Sequence, residues 1–170
     1  MSHQREGFDR FIVGTVIITV LLLGIAVFLG SKMGAAPQIT VDSLVALSIK
    51  SSSFDWETID YDEGIVSKTF PIKNTGSSVL KLYNVETSCM CTTAQIKTPE
   101  VTSKKFKMHE TSANIIEVRP GETAKLIVEF DPAFHGPSGV GPINRIITMS
   151  TNDVKNPTLT FTVSGNVVKK

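Results

Sequence analysis

The hydrophobic pattern divides the chain into two parts. An unbroken uncharged run covers Phe11–Gly30. At about 1.5 Å per residue it would form a helix about 30 Å long, which matches the hydrocarbon thickness of a bilayer. From Phe54 onward, apolar residues instead recur at every second position. The pattern therefore predicts one transmembrane helix followed by a domain built of β-strands.

The alternation predicts several short strands separated by turns. Phe54 and Trp56 alternate with charged residues, and the sequence of residues 74–78, Asn-Thr-Gly-Ser-Ser, is typical of a hairpin connection. The further sets of apolar residues that share one strand face are Val66, Phe70 and Ile72; Leu80 and Leu82; Ala124, Leu126, Val128 and Phe130; Ile143, Ile147 and Met149; and Leu159, Phe161 and Val163. Short strands with frequent turns and no helical period predict an all-β fold, an antiparallel immunoglobulin-like β-sandwich.

These signals predict the organisation of the chain. Residues 1–10 form a short N-terminus, 11–30 the transmembrane helix, 31–53 a tether, and 54–170 the sandwich, with a polar insertion at 97–113. Within the tether, Leu44–Ile49 alternates as a strand does, although Thr40 could also cap a short helix there. We favour a first edge strand.

The N-terminal run is predicted to stay in the protein as an anchor. The alternative is a cleaved signal peptide, but the apolar core of a signal peptide is usually about 7–15 residues long. Arg5 and Arg10 precede the run, and Lys32 follows it. This distribution favours a cytoplasmic N-terminus and an extracytoplasmic C-terminal domain, in the periplasm or at the cell exterior.

Five segments together resemble a known family. They are Thr69–Gly76, Leu80–Leu82, Val85–Thr93, Arg119–Glu122 and Val128–Pro132. Their combination resembles the bacterial domain-of-unknown-function family 1573, which is similar to immunoglobulin-like domains of the Hydin and abnormal-spindle type. The resemblance covers about Phe54 to Val168 and implies a seven-stranded-type β-sandwich that is exported or membrane-anchored. It implies no known activity. Family members typically read Cys-Gly-Cys-Thr where this chain has Met90 between its cysteines.

Charge and motifs exclude several function classes. The chain has 17 Lys and Arg against 16 Asp and Glu, a net charge of +1, which gives no electrostatic basis for nucleic-acid binding. No glycine-rich phosphate loop, zinc-ligand spacing or Ser/His/Asp arrangement appears. His109 and His135 fall in predicted loops without an acidic partner at a diagnostic spacing. We therefore expect no catalysis.

Cys89 and Cys91 are the one place where chemistry is expected. If the segment is extended, both thiols share a face, with Cα atoms about 6.5–7 Å apart, at or beyond the limit of about 6.8 Å for an unstrained disulfide. An extended pair would thus suit a dithiol better than a disulfide. Structural cysteines, a conditional disulfide or redox-active pair, and Cu(I) ligands all remain open, whereas a catalytic nucleophile is disfavoured because no base lies beside it. Met108 and His109 are possible additional Cu(I) ligands.

The sequence thus predicts a membrane-anchored, exported module that acts through contacts with an unidentified protein of the cell envelope and needs no cofactor. The alternative is a Cu(I)-binding or thiol-redox protein that uses the Cys-Met-Cys pair. A membrane anchor, an immunoglobulin-like domain and a Cys-x-Cys pair also resemble the copper chaperone of cytochrome oxidase assembly, but the Cys-Phe-Cys-Phe usual there is absent here.

Overall fold

The computed structural model describes residues 3–30, 39–110 and 114–170, and within the first of these ranges the side chains of residues 10–25, 27 and 28. The chain divides into two compact units, Met1–Gln38 and Ile39–Lys170. The first part of the predicted tether, residues 31–38, and the end of the predicted insertion, residues 111–113, lie outside the described residues.

The described residues of the first unit form the helix α1 (His3–Gly30). Two threonine hydroxyls on it donate to backbone carbonyls one turn earlier, Thr15 to Phe11 at 2.7 Å and Thr19 to Thr15 at 2.8 Å. No helix within the described residues combines the length and the hydropathy needed to cross a bilayer. The predicted segment Phe11–Gly30 lies within α1 and is helical, as expected. It is not supported as a transmembrane span.

The second unit is a β-sandwich. In chain order its strands are β1 (Leu47–Ile49), β2 (Ser53–Asp60), β3 (Val66–Asn74), β4 (Leu80–Thr87), β5 (Thr92–Lys97), β6 (Ile116–Val118), β7 (Thr123–Phe130), β8 (Gly141–Thr151) and β9 (Thr158–Val168), with a short 3₁₀-helix, η1 (Gly136–Gly139), between β7 and β8. A four-stranded sheet has the order β1-β3-β7-β5, and a five-stranded sheet has the order β2-β9-β8-β4-β6. The predicted sandwich is confirmed.

The strand connectivity is that of an immunoglobulin constant-type domain. When β2 and β6 are set aside, the remaining strands read A-B-E-D in one sheet and G-F-C in the other. The prediction of purely antiparallel pairing is wrong for β2, which pairs with β9 in parallel, and an isolated bridge between Asp42 and Asp153 is also parallel. The short link Lys50–Ser52 carries the chain from the edge of one sheet to the edge of the other without a hairpin turn, and so β2 joins the last strand in parallel.

The core lies between the two sheets and consists largely of the residues that alternation assigns to the inward faces. Leu80 and Leu82 are fully buried, and the rings of Phe70 and Phe161 lie 5.1 Å apart, centroid to centroid, within this core. Lys68 breaks the alternation of β3, and the structure gives the reason. Its Nζ lies 3.7 Å from the centroid of the Phe54 ring, so the charge sits over an aromatic face.

The polar insertion contains a core residue, Phe106, that the hydrophobic pattern does not predict. Phe106 is 1% exposed and pairs with Ala94, and Thr102 pairs with Lys97. Both bridges lie on the outer side of β5, so this segment covers the edge that the sheet would otherwise expose. Phe106 is hard to detect from the sequence because it stands alone among lysines.

The register of the first sheet brings several loops to one end of the sandwich. Val66 at the start of β3 and Thr92 at the start of β5 both pair with Phe130 at the end of β7. The β2–β3 loop, the β4–β5 turn and the β7–β8 loop therefore meet at this end. A second, smaller core lies beneath them, formed by Ile59, Cys91, Phe130, Ile143 and Val167.

Candidate functional site at the β4–β5 turn

Cys89, Met90 and Cys91 form the turn that joins β4 to β5. The backbone N–H of Thr92 donates to the Cys89 carbonyl at 3.1 Å, which closes a turn around the pair. The Cα atoms of the two cysteines are 5.3 Å apart, and their sulfur atoms form a disulfide. The expectation of an extended dithiol is therefore wrong, because the turn brings the Cα atoms within the normal range for a bridge.

Hydrogen bonds on either side fix this turn. The Thr87 hydroxyl lies 3.1 Å from the carbonyl oxygens of both Cys89 and Thr92 and shares its proton between them. The Ser88 N–H donates to the Ile146 carbonyl, and the Ile146 N–H donates to the Ser88 hydroxyl, each at 2.9 Å. The turn is thus attached to strand β8, which lies beside β4 in the sheet.

The β7–β8 loop places His135 beside Cys89. The loop is a series of tight turns, in which the Asp131 carboxylate accepts from the Ala133 N–H at 2.9 Å and the Ala133 carbonyl accepts from the Gly136 N–H at 2.9 Å. The Asp131 N–H donates to the Cys91 carbonyl at 3.0 Å and ties the start of the loop to the cysteine turn. As a result, His135 Nε2 lies 3.5 Å from Cys89 Sγ.

Arg145 of β8 lies on the other side of the disulfide. Its Nε donates to Cys91 Sγ at 3.2 Å, its Nη1 donates to the Asn144 carbonyl at 3.0 Å, and its guanidinium carbon lies 5.6 Å from the centroid of the Phe130 ring. Desolvation of the half-buried guanidinium lowers the pKa of Arg145. Within the described ranges, Arg145 forms no ion pair with a carboxylate.

The two sulfur atoms differ in accessibility. Cys91 is 3% exposed and belongs to the second core, whereas Cys89 is half-buried and His135 is exposed. Cys89 Sγ, which lies beside the His135 imidazole, is therefore the accessible sulfur of the disulfide. Cys91 Sγ, which lies beside the Arg145 guanidinium, is buried.

The same residues form a group of potential metal ligands. The sulfur atoms of Cys89 and Cys91 and a ring nitrogen of His135 all lie within 4.8 Å of one another. Disulfide sulfurs are not thiolates, so this group could hold a soft ion such as Cu(I) only after reduction. Among the described residues His135 completes the group, and His109, predicted as an additional ligand with Met108, is not part of it.

His135 and Arg145 could not be identified from the sequence. They are 46 and 54 residues from the cysteines that they contact. No local motif marks either of them, and only the pairing of β8 with β4 and the path of the β7–β8 loop bring them to the turn.

Apolar side chains are exposed around this site. They are Ile65 in the β2–β3 loop, Met90 in the cysteine turn, and Phe134 and Val140 in the β7–β8 loop, with exposed fractions of 62%, 43%, 49% and 45%. We call these four residues the apolar end. Each of the three loops that meet at this end of the sandwich contributes at least one of them.

One protein family matches part of the chain. A family described as protein of unknown function, DUF1573, matches residues 47–109. The match is to less than half of the chain and to a shorter stretch than the predicted Phe54–Val168. None of the curated proteins compared with the chain matches it.

Solved structures match over a longer part of the chain. A protein of unknown function from Porphyromonas gingivalis is 22% identical, with a TM-score of 0.55, and the alignment covers 76% of this chain and 50% of that one. The chain thus corresponds to about half the length of that relative, and the likeness shows a shared fold. An ASH/PapD-like domain of human CEP192 is 16% identical, with a TM-score of 0.48 and coverage of 78% and 92%.

Proposed function

We propose that this protein is a membrane-anchored β-sandwich module that binds another protein of the cell envelope through its apolar end. The observation that carries this proposal is the exposure of Ile65, Met90, Phe134 and Val140 on three loops that meet at one end of the sandwich. Soluble surfaces rarely group large apolar side chains without a partner that covers them. Aromatic residues and methionine are also enriched in protein interfaces.

Two of the four sheet edges, those of β5 and β2, are poorly suited to strand addition, which favours binding at the apolar end. In the described part of the chain, the outer side of β5 is covered by the bridges to Phe106 and Thr102. The edge strand β2 is interrupted by a register shift between Asp55 and Thr58. The N–H groups of Ser53 and Glu57 are also bonded to nearby side chains, at 3.4 Å and 2.8 Å. Such edges resist an incoming strand.

The anchor in this proposal rests on the sequence. Phe11–Gly30 carries no charged residue, and Arg5 and Arg10 precede it. This arrangement favours a cytoplasmic N-terminus and an extracytoplasmic sandwich. Protease treatment of intact and permeabilised cells tests the orientation, and we expect the sandwich to be digested without disruption of the cytoplasmic membrane. Protection of the sandwich until that membrane is disrupted would contradict the proposal.

Site-specific photocrosslinking in cells tests the binding surface. A photoreactive amino acid replaces Phe134 in one strain and Val154 in another. Val154 is a matched control because it is 55% exposed and lies in the β8–β9 turn, at the other end of the sandwich. We expect one discrete crosslinked species from position 134 and none of that mass from position 154. Equal crosslinking from both positions, or none from either, would show that the apolar end is not the binding surface.

A further inference from the structure

We propose that the Cys89–Cys91 disulfide is a redox-active site that oxidises a dithiol on a partner protein. His135 would carry the proton at Cys89, and Arg145 would stabilise the thiolate of Cys91. This inference goes beyond the proposed binding function and does not depend on it, since small dithiols can react at the site without contacting the apolar end.

Accessibility decides which sulfur is attacked. Cys91 is 3% exposed, so an incoming thiolate cannot approach it without opening the second core. Cys89 is half-buried, and its sulfur lies beside the exposed ring of His135. Attack at Cys89 makes Cys91 the leaving group, and the rate of thiol–disulfide exchange rises as the leaving thiol becomes more acidic.

Arg145 provides that acidity. Within the described ranges the half-buried guanidinium has no carboxylate partner, and its Nε is directed at Cys91 Sγ at 3.2 Å. A disulfide sulfur is a weak acceptor and compensates this charge poorly, whereas a thiolate at the same place would compensate it well. The arrangement thus favours the product of reduction, as cations near a cysteine generally favour its thiolate.

The exchange balances in atoms and electrons. One thiol of the partner dithiol attacks Cys89 Sγ and transfers its proton to His135 Nε2. The Cys89–Cys91 bond breaks, Cys91 leaves as a thiolate paired with Arg145, and a mixed disulfide links Cys89 to the partner. The second partner thiol then attacks the partner's own sulfur in that mixed disulfide. Cys89 leaves with the proton held by His135, and the second proton passes to Cys91. The partner dithiol becomes a disulfide, and Cys89 and Cys91 become thiols.

The position of the bond in the chain agrees with this role. It links residues separated by two positions. The stabilisation that a disulfide provides increases with the length of the loop that it closes, so this bond contributes less than most structural bridges. A redox role therefore explains a bridge of this kind better than a contribution to the stability of the fold does.

Reduction of the purified full-length chain by dithiothreitol tests the proposal. Free thiols are trapped with N-ethylmaleimide at successive times and counted by mass spectrometry. We expect Arg145→Met and His135→Gln each to slow the reaction by about tenfold, because the first removes the positive charge beside the leaving sulfur and the second removes the proton acceptor beside Cys89. Arg145→Lys keeps the charge and should recover part of the rate even if Arg145→Met fails to fold.

Two matched controls separate chemistry from general effects of mutation. Arg119→Met and His109→Gln change the same residue types at exposed positions away from the disulfide, and they should keep the wild-type rate. If Arg145→Met and His135→Gln also react at the wild-type rate, the bridge is inert structure and the proposal is wrong.

Single-cysteine variants test the assignment of the two sulfurs. With a chromogenic aromatic disulfide as the probe, Cys91→Ser should form a mixed disulfide at Cys89 at least about tenfold faster than Cys89→Ser does at Cys91, because burial blocks attack. Equal rates would overturn the assignment. Stoichiometric Cu(I) binding by the reduced chain, lost in His135→Gln while that variant keeps its wild-type exchange rate, would instead identify a metal site and overturn the redox proposal.

Discussion

Arg145 Nε donates a hydrogen bond to Cys91 Sγ at 3.2 Å, and this contact joins a strand in the middle of the five-stranded sheet to the turn between β4 and β5. The guanidinium also lies over Phe130, whose ring stacks on Trp56 with centroids 6.2 Å apart. The redox state of the disulfide is therefore expected to affect both the reactivity of the turn and the packing beneath it.

The disulfide should contribute little to stability. A bridge that closes a loop of about three residues reduces the entropy of the unfolded chain by an amount worth about 1.5 kcal/mol. The double variant Cys89→Ala/Cys91→Ala should therefore lose no more than about 1.5 kcal/mol of unfolding free energy in urea denaturation. The wild-type chain with reductant is the control and should show a similar loss. A loss of about 4 kcal/mol of unfolding free energy in both samples would show that the bridge is a major source of stability.

Trp56 should report the redox state. It is the single tryptophan of the chain, and it packs against the cluster that contains Cys91 and Phe130. Reduction releases Cys91 from its bridge and changes its contact with Arg145, so we expect the intensity of tryptophan emission to change. The double variant without cysteines should give the same spectrum with and without reductant. Identical wild-type spectra, with reduction verified by mass, would show that the two sites are uncoupled.

Asn74 should be essential to the connection between β3 and β4, which crosses from one sheet to the other. The side chain is fully buried; its Nδ2 donates to the carbonyls of Ser78 and Val118 at 2.9 Å and 2.8 Å, and its Oδ1 accepts from the Gly76 N–H at 3.0 Å. Asn74→Ala leaves these groups without that partner and should cost about 2–4 kcal/mol in urea denaturation. The exposed Asn166 provides the control, since Asn166→Ala should change stability by less than about 0.5 kcal/mol.

Asn74→Asp should make stability depend on pH in a defined direction. The new carboxylate would be buried and would face two carbonyl oxygens, which raises its pKa above the value of about 3.9 in the unfolded chain. A raised folded-state pKa favours the protonated form, so the variant should be least stable at neutral pH and recover as the pH falls toward 4. A loss of stability equal at pH 7 and pH 4, relative to wild type, would contradict this account.

Gly76 should tolerate no side chain. A Cβ atom there would lie 2.5 Å from the Ala46 backbone nitrogen and closer still to the Leu44 carbonyl oxygen. Both contacts are with backbone atoms, which can be displaced only at a substantial cost in free energy. Gly76→Ala should cost about 3 kcal/mol. Gly64 is the matched control, because it has a positive φ of 86° but open space around it, so Gly64→Ala should cost only about 1–2 kcal/mol. Thermal or urea denaturation that reverses this order would exclude the steric explanation.

Asp60 should titrate below the usual range for an aspartate. A hydrogen bond from the Lys170 side chain, and then one from the Asp62 N–H, lower the pKa of its carboxyl group. The stability that this group contributes is present above the unfolded-state pKa and is lost as the pH falls through the lower, folded-state value. Lys170→Met should raise the pKa of Asp60 in a carboxyl-detected NMR titration, while Lys169→Met should leave it unchanged. The same pKa for Asp60 in both variants would show that the ion pair does not form in solution.

The alternation of apolar and polar residues is enough to predict the sandwich and most of its core. Strand side chains alternate between two faces, so the inward set can be read without knowing which strands pair. Leu80 and Leu82 show this, since both were assigned to one face and both are fully buried. The turn at Asn74-Thr75-Gly76 could be predicted for the same local reason, but the prediction of a hairpin there is wrong, because β3 and β4 lie in different sheets. Phe106 could not be predicted, because its burial depends on where a long loop crosses β5.

The chemistry of the cysteine pair depends on the folded structure. Two cysteines two residues apart are visible in the sequence, but the assumption of an extended backbone there leads to the wrong preference for a dithiol. His135 and Arg145 reach the disulfide only through contacts between residues 46 and 54 positions apart in the chain. The local sequence encodes the preferred backbone conformation and the alternation of side chains between two faces. The side chains that contact a sulfur atom depend instead on the register of the sheets and the path of the loops, and these are set by the whole fold.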